Sequence, residues 1–570
     1  MIRPARTVRT RPVGRGWRGL AALLVALALV AVACGGDDDD DAGGTDSSPD
    51  GTTETTAAAG EPKPGGELVV GLESESAGWL PGKDSQSQAG LQVMYAVFDP
   101  LMAYDENGEV GPYLAESLEP NAEFSEYTLT LRPGVTFHDG TPLDAAAIQD
   151  NFDNYLKPPT ARTAAALAAV TFEPTGELTG VYRLDPPSAA FPDLLTNIIG
   201  MPFSPTAAAE MGDDASSHPV GTGPFTFVSW QRDSELVVEK NADYWQEGKP
   251  YLDRITFRPI PDEEARLASL QSGEVDVMHT VRQAQALTEA GDDVQTLVDI
   301  GGQSAMTYYN TTTPPTDDLR VRQALVHAVD QDELISVQGL EGITQPTYQP
   351  VAPDSPWATD DAEAAYPKQD VERATELLQD YMDDPDRSDG KAAGEPVTIS
   401  LVVTAGVASL NDLGQLYQES WEAVGFDASI DFVDQATLVN RAVGSPPDFA
   451  GDYVATLFRL GIDSDPDNLY TTFYDEKAGG NIANWSPPEA KKLWDIGHTS
   501  TDEAERKEAY AKIWTLMAEQ VPLSYHGALA TAIGAKPDVM GIPDWTLPDG
   551  TRGEGHPTSI IHYVEVWLDR

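Results

Sequence analysis

The sequence predicts an α/β protein of two lobes, and three observations carry that prediction. Val397, Ile399, Leu401 and Val403 alternate as a strand, 410–424 has helical spacing, and Phe426, Ala428, Ile430 and Phe432 alternate again. This is a βαβ unit, whose strands should be parallel with a right-handed crossover. A second unit begins with Tyr127, Leu129 and Leu131 in strand alternation, breaks at Pro133-Gly134, resumes at Val135 and Phe137 and turns at His138-Asp139-Gly140. Asp144 can cap the helix that follows, on which Ile148, Phe152, Tyr155 and Leu156 share a face. Finally, the roughly 500 residues beyond position 64 are too many for one core and divide into two or more compact bodies.

In chain order, the first stretch is a leader. Arg3, Arg6, Arg9, Arg11, Arg15 and Arg18 occur with no acid among them and precede an apolar run over 20–33. That run is shorter than the roughly 20 residues a membrane-spanning helix needs, so 1–33 reads as an export signal. Cys34, the only cysteine, closes the string AVAC, which resembles the end of a bacterial lipobox with Ala31 where Leu is most common. The resemblance implies lipidation at Cys34 and anchorage at the outer face of the cytoplasmic membrane. With no other thiol, a disulfide framework and a thiolate metal site are excluded. Residues 34–64 are mostly Gly, Asp, Ser, Thr, Ala and Pro, with five consecutive aspartates at 37–41. Such a segment repels itself and buries nothing, so a disordered tether is expected.

The formal charge of −56 becomes about −62 once the six leader arginines are removed. A surface so acidic repels nucleic acid and anionic headgroups, and argues against both as partners.

Beyond the tether, Gly65-Gly66 leads into a short strand over 67–73 (ELVVGLE), a polar loop around Trp79, and MYAVFDPL at 94–101. VGTGPF at 220–225 opens a hairpin through Phe227, Trp230, Leu236 and Val238. Its glycines suit a turn and lack the spacing of a phosphate cradle, as does GWLPGK at 78–83. A helix over 262–270 ends at Gly273, and EVDV at 274–277 is another strand. In DDLRVRQALVHA at 317–328, capped by Asp317 or Asp318, Val321, Leu325 and Val329 face one way while Arg320 and Arg322 lie off that face. Asp370 caps a helix turning Val371, Ala374, Leu377 and Leu378 inward, and a last helix centred on 505–518 leads to VPLSY.

LRPGVTFHDGTPL with its helix, then VGTGPF, NADYW, YYN, DDLRVRQALVHA and NWSPPE, resemble in order the strings of the family 5 solute-binding proteins of ABC importers, which carry peptides, nickel or other solutes. The resemblance implies a two-lobed, periplasmic-binding-protein-like fold (type II, with an extra subdomain in the first lobe). Lobe I would comprise 65–105, the subdomain 106–204, then 205–308 and the C-terminal 528–570; lobe II would be 309–527. The loop carrying Trp79 and Ser87 would face the cleft, and the segment holding Tyr308 and Asn310 would be one crossing between lobes.

FRLGIDSDPDN at 458–468 resembles the stretch where peptide-binding members place an aspartate that pairs with the peptide amine. Aligned on Asp465-Pro466, that position holds Ile462, and Asp463 lies one residue on; Asp465 is equally suited to capping a helix with Pro466 at its first position. Arg459 could fork onto a solute carboxylate, and Trp485 could stack on a ligand. The expected ligand-binding set is therefore Trp79, Ser87, Tyr308, Asn310, Arg459, Asp463, Asp465 and Trp485.

No HExxH, CxxC or GxSxG string occurs, so an enzyme is not expected, nor a metal or other cofactor. What is expected is a monomeric exported lipoprotein that captures a solute, an oligopeptide first, and delivers it to ABC permease subunits. Import of an oligosaccharide or metal chelate, or a surface sensor or adhesion role on the same fold, are the alternatives.

Overall fold

The computed structural model describes residues 60–570 apart from 85, 157–166, 168–169, 282, 292, 354, 444–450, 462–464 and 476–479. The leader, Cys34, most of the tether and Asp463 lie outside the described residues.

Two long antiparallel strands, Gln295–Tyr309 and Leu523–Ala535, form the spine. They run in register from Gln295 opposite Ala535 to Tyr308 opposite Leu523, with irregularities between Ile300 and Ser304 and between Ser304 and Met306. On one flank the second spine strand pairs with Val277–Thr280, and the sheet continues through Glu67–Leu72, Arg254–Pro259, Glu235–Lys240 and Phe225–Gln231. On the other flank the first spine strand pairs with Ala455–Gly461, then Thr398–Thr404 and Asp427–Val433. One ten-stranded sheet results, and each flank carries its own core.

The core on the second flank is built around Trp421, Trp494, Trp514 and Tyr417, and draws on residues from Met306 to Tyr525. The βαβ unit lies there as expected: Thr398–Thr404 and Asp427–Val433 are parallel, joined by the helix Ala408–Val424, which ends on left-handed Gly425. The second strand is the sheet's edge, and Phe432 near its end is exposed. Val371 also departs from expectation, being exposed while Ala374, Leu377 and Leu378 are buried. Asp318 caps Leu319–His327 by accepting the Arg320 N–H. Arg322 is buried, because its guanidinium donates to the carbonyls of Thr316, Asp317 and Gln520 at the helix ends.

The first flank holds a core of Leu68, Val70, Phe225, Phe257 and the C-terminal Tyr563 and Leu568. Beside it stands a four-stranded antiparallel sheet, Ala115–Pro120, Glu126–Leu131, Thr179–Leu184 and Val170–Pro174, with a core of its own. The strand-turn-helix unit belongs to that core: Tyr127, Leu129, Leu131, Ile148, Phe152 and Tyr155 are buried, Asp144 accepts the Ala147 N–H, and Leu156 at the helix end is exposed. Its turn docks on VGTGPF, where the Gly221 carbonyl accepts the His138 N–H and His138 Nε2 contacts the Gly223 carbonyl at 2.9 Å. Close approach explains these glycines better than a turn does, since a Cβ on Gly221 would lie 2.2 Å from the Val97 carbonyl oxygen. The helix Glu263–Ser272 ends on left-handed Gly273, and the following strand begins at Val277 rather than Glu274.

Candidate functional site

The two largest cavities described beside the spine differ in size and polarity. The larger, about 910 Å³, is walled by both flanks. From the first come Gln88, Leu91 and Tyr95 of the helix Gln88–Val97, Tyr104, Asp193, and the C-terminal Thr558, Ile560 and His562. From the second come Val351, Trp357, Asp465, Arg506 and Lys507, and the first spine strand contributes Asp299 and Ile300. The smaller, about 340 Å³, is more apolar: Leu340, Leu410, Leu413, Leu438, Leu457, Phe458 and Leu529, with Thr404, Ser409, Gln435, Arg459 and His526 as polar groups. The strand ends Thr404 and Arg459 meet there because their two strands are parallel and deliver their C-terminal ends to one edge. Val281, which follows the antiparallel strand Val277–Thr280 of the first flank, reaches the same cavity from the other side of the spine.

An ion pair stiffens the second-flank wall. Arg506 donates to both oxygens of Asp465 at 2.7 Å and to the Gly497 carbonyl at 2.7 Å, with its guanidinium 5.0 Å from the Trp357 ring centre. Burial pushes the Asp465 carboxyl up, and the Arg506 fork offsets part of that. Behind them Asp467 accepts from the Tyr510 hydroxyl and pairs with His498 at 3.0 Å. On the first-flank wall His562 stacks on Trp545, with centres 3.8 Å apart, and meets the Tyr95 edge. Burial drives His562 down to about 3, so it is a neutral ring at physiological pH.

The residues expected to bind ligand fall into three groups. Arg459 lines the smaller cavity and Asp465 the larger, the latter as the Arg506 partner rather than a helix cap, since Asn468–Phe473 begins after Asp467. Ser87 is exposed at the cleft edge and caps Gln88–Val97 by accepting the Gly90 N–H. Trp79, Tyr308, Asn310 and Trp485 are buried and line neither cavity. Trp79 meets Trp230 edge-on, Tyr308 meets Phe458, and Trp485 donates to Gln520. Asn310 donates to the Tyr453 carbonyl and accepts from Thr312 and Asn484, which fixes the chain where it leaves the first spine strand.

With this geometry in hand, comparison with known proteins is decisive. The model of the bacterial extracellular solute-binding proteins, family 5, matches residues 109–481. The chain belongs to this family. Among family 5 relatives, the glutathione-binding protein GsiB of Pectobacterium atrosepticum is 28% identical over 504 residues, covering 83% of this chain and 92% of that protein. The oligopeptide-binding protein AppA of Bacillus subtilis is 25% identical over 528 residues, 89% of this chain and 92% of AppA. Of solved family 5 folds, AgaA of A. tumefaciens R10 in complex with agropinic acid superposes with a TM-score of 0.74 at 25% identity, covering 89% of this chain and 99% of AgaA. The ligands in these names differ, so membership alone does not choose a solute.

Sequence reasoning missed Arg506, Trp357, His526 and the 556–562 segment. Arg506 lies 41 positions from Asp465, and no periodicity links a helix residue to a loop so distant. His526 had a weaker signal, a lone histidine in the apolar run that became the second spine strand.

Proposed function

We propose that this protein is an extracytoplasmic solute-binding lipoprotein, anchored through Cys34, that takes up an oligopeptide between its two flanks and hands it to ABC permease subunits. The observation that carries this reading is the cavity of about 910 Å³ walled by two separate cores, with Asp299 and Ile300 of the first spine strand in its wall. Its size matches pockets that enclose small organic ligands, and residues on both sides give closure a reason to depend on the guest. Lobe I is assigned to 65–308 with 528–570 and lobe II to 309–527, so that each spine strand crosses once between them. Arg459, in the smaller chamber, is assigned to the peptide carboxylate, with the leucines and Phe458 around it receiving an apolar side chain. Asp463 is assigned to the amine.

Native mass spectrometry of protein purified without denaturation tests the reading. A bound peptide of a few residues is expected; a bound sugar, a metal chelate, or a cleft that stays empty when offered a peptide pool rejects it. Mass added at Cys34 in the membrane fraction tests the anchor.

A further inference from the structure

Segment 556–561 is the part of the large cavity's wall whose backbone conformation is least expected. Thr558 and Ser559 both have left-handed torsions, φ of 50° and 57°, and neither is glycine. Such conformations persist where surrounding groups impose them. Here the surroundings are three elements. Asp299 of the first spine strand accepts the Thr558 N–H at 2.7 Å. Thr531 of the second spine strand meets the Ser559 hydroxyl at 2.9 Å. Gln92, from the helix Gln88–Val97, donates to the Ser559 carbonyl at 2.7 Å and accepts the Ile561 N–H.

Asp299 and Thr531 are direct cross-strand partners, and the register irregularity of the spine begins at the next residue, Ile300. The strained segment is thus tied to both crossing strands beside the place where their pairing is interrupted, while Thr558 and Ile560 face the cavity. We propose that 556–561 is a solute-contacting strap and that Asp299 and Thr531 are its positioning residues, so that capture of solute and the bend of the crossing strands are one event. This rests on solute capture in the large cavity and goes beyond it by assigning the element that senses occupancy.

The test uses full-length protein and a pool of synthetic tri- to pentapeptides, with the tightest binder as titrant. Asp299→Ala and Thr531→Val each weaken binding at least about tenfold, or about 1.4 kcal/mol, whereas Asp299→Asn, which keeps an acceptor for the Thr558 N–H, stays close to wild type. In wild type, the titrant slows hydrogen exchange at 558–561 and at 528–532 together. Unchanged affinity in both variants, or protection of one segment without the other, overturns the strap. If no peptide binds wild type, the peptide reading fails and the strap is judged by exchange without ligand. Asp299→Ala must then accelerate exchange in both segments and Asp299→Asn in neither; acceleration confined to 558–561 overturns it. Should Asp299→Ala not fold, Thr531→Val carries the same comparison.

Discussion

Asp99 and four histidines set opposite pH dependences within one molecule. Burial raises the Asp99 carboxyl to about 7 despite hydrogen bonds from Trp245 and Tyr244, against 3.8 for an ordinary aspartate. The folded state therefore holds a proton that the unfolded chain has released, and stability falls as pH rises from about 4 to 7. Burial lowers His138 and His279 to about 4 and His526 and His562 to about 3, against 6.5. For these the unfolded chain binds the proton first, so stability is complete above 6.5 and is lost as pH falls toward 4. Four groups outweigh one, and urea unfolding should show stability rising from pH 4 to 6.5 and declining slightly beyond, with Asp99→Asn abolishing that decline. The Asp465–Arg506 pair gives a second prediction at this scale. Both side chains are largely buried, at 13% and 7% exposure, so Arg506→Ala strands a carboxylate and should destabilise by roughly 3–5 kcal/mol, read as a shift in the urea midpoint. Loss of both charges together in Asp465→Asn/Arg506→Met should recover much of it.

Among the elements, the HDG turn and the VGTGPF string are two parts of one joint, although the chain separates them by more than sixty residues. Gly221 and Gly223 touch the end of the helix Gln88–Val97, where a Cβ on Gly223 would lie 2.5 Å from the Val97 carbonyl carbon. Backbone cannot step aside as a flexible side chain can, so Gly223→Ala should destabilise by about 1–3 kcal/mol, a lowered melting temperature with the fold retained. Equal stability of the variant would show that the joint is looser than its geometry. The periodicity of 127–155 and 397–430 was legible because each unit's burial pattern follows from its own repeat, strand alternation or helical face. Val371 was misjudged, and Phe432 continues an alternation yet stands exposed, for a reason of the same kind: periodicity says which residues share a face, and only the neighbouring element says whether that face is covered.

At the scale of the molecule, two separate cores share one sheet through the spine strands, and the 910 Å³ cavity lies between them. A guest that touches both walls binds the folded arrangement and not the unfolded chain. At 100 times its dissociation constant, the peptide found by mass spectrometry should add about 2.7 kcal/mol to stability. Scanning calorimetry should show both flanks melting later; a shift confined to one of two transitions would place the guest on a single lobe.

By itself the sequence determined the α/β class, the βαβ and strand-turn-helix units, the helix caps at Asp144 and Asp370, and the family, all of which rest on short-range patterns or ordered strings. Only the tertiary structure decided that Trp79, Tyr308, Asn310 and Trp485 are interior, that Asp465 is held by Arg506, and that a strained C-terminal turn is tied to both crossing strands. A site between two bodies is assembled from residues hundreds of positions apart, and local spacing carries no trace of which distant side chain will complete a contact.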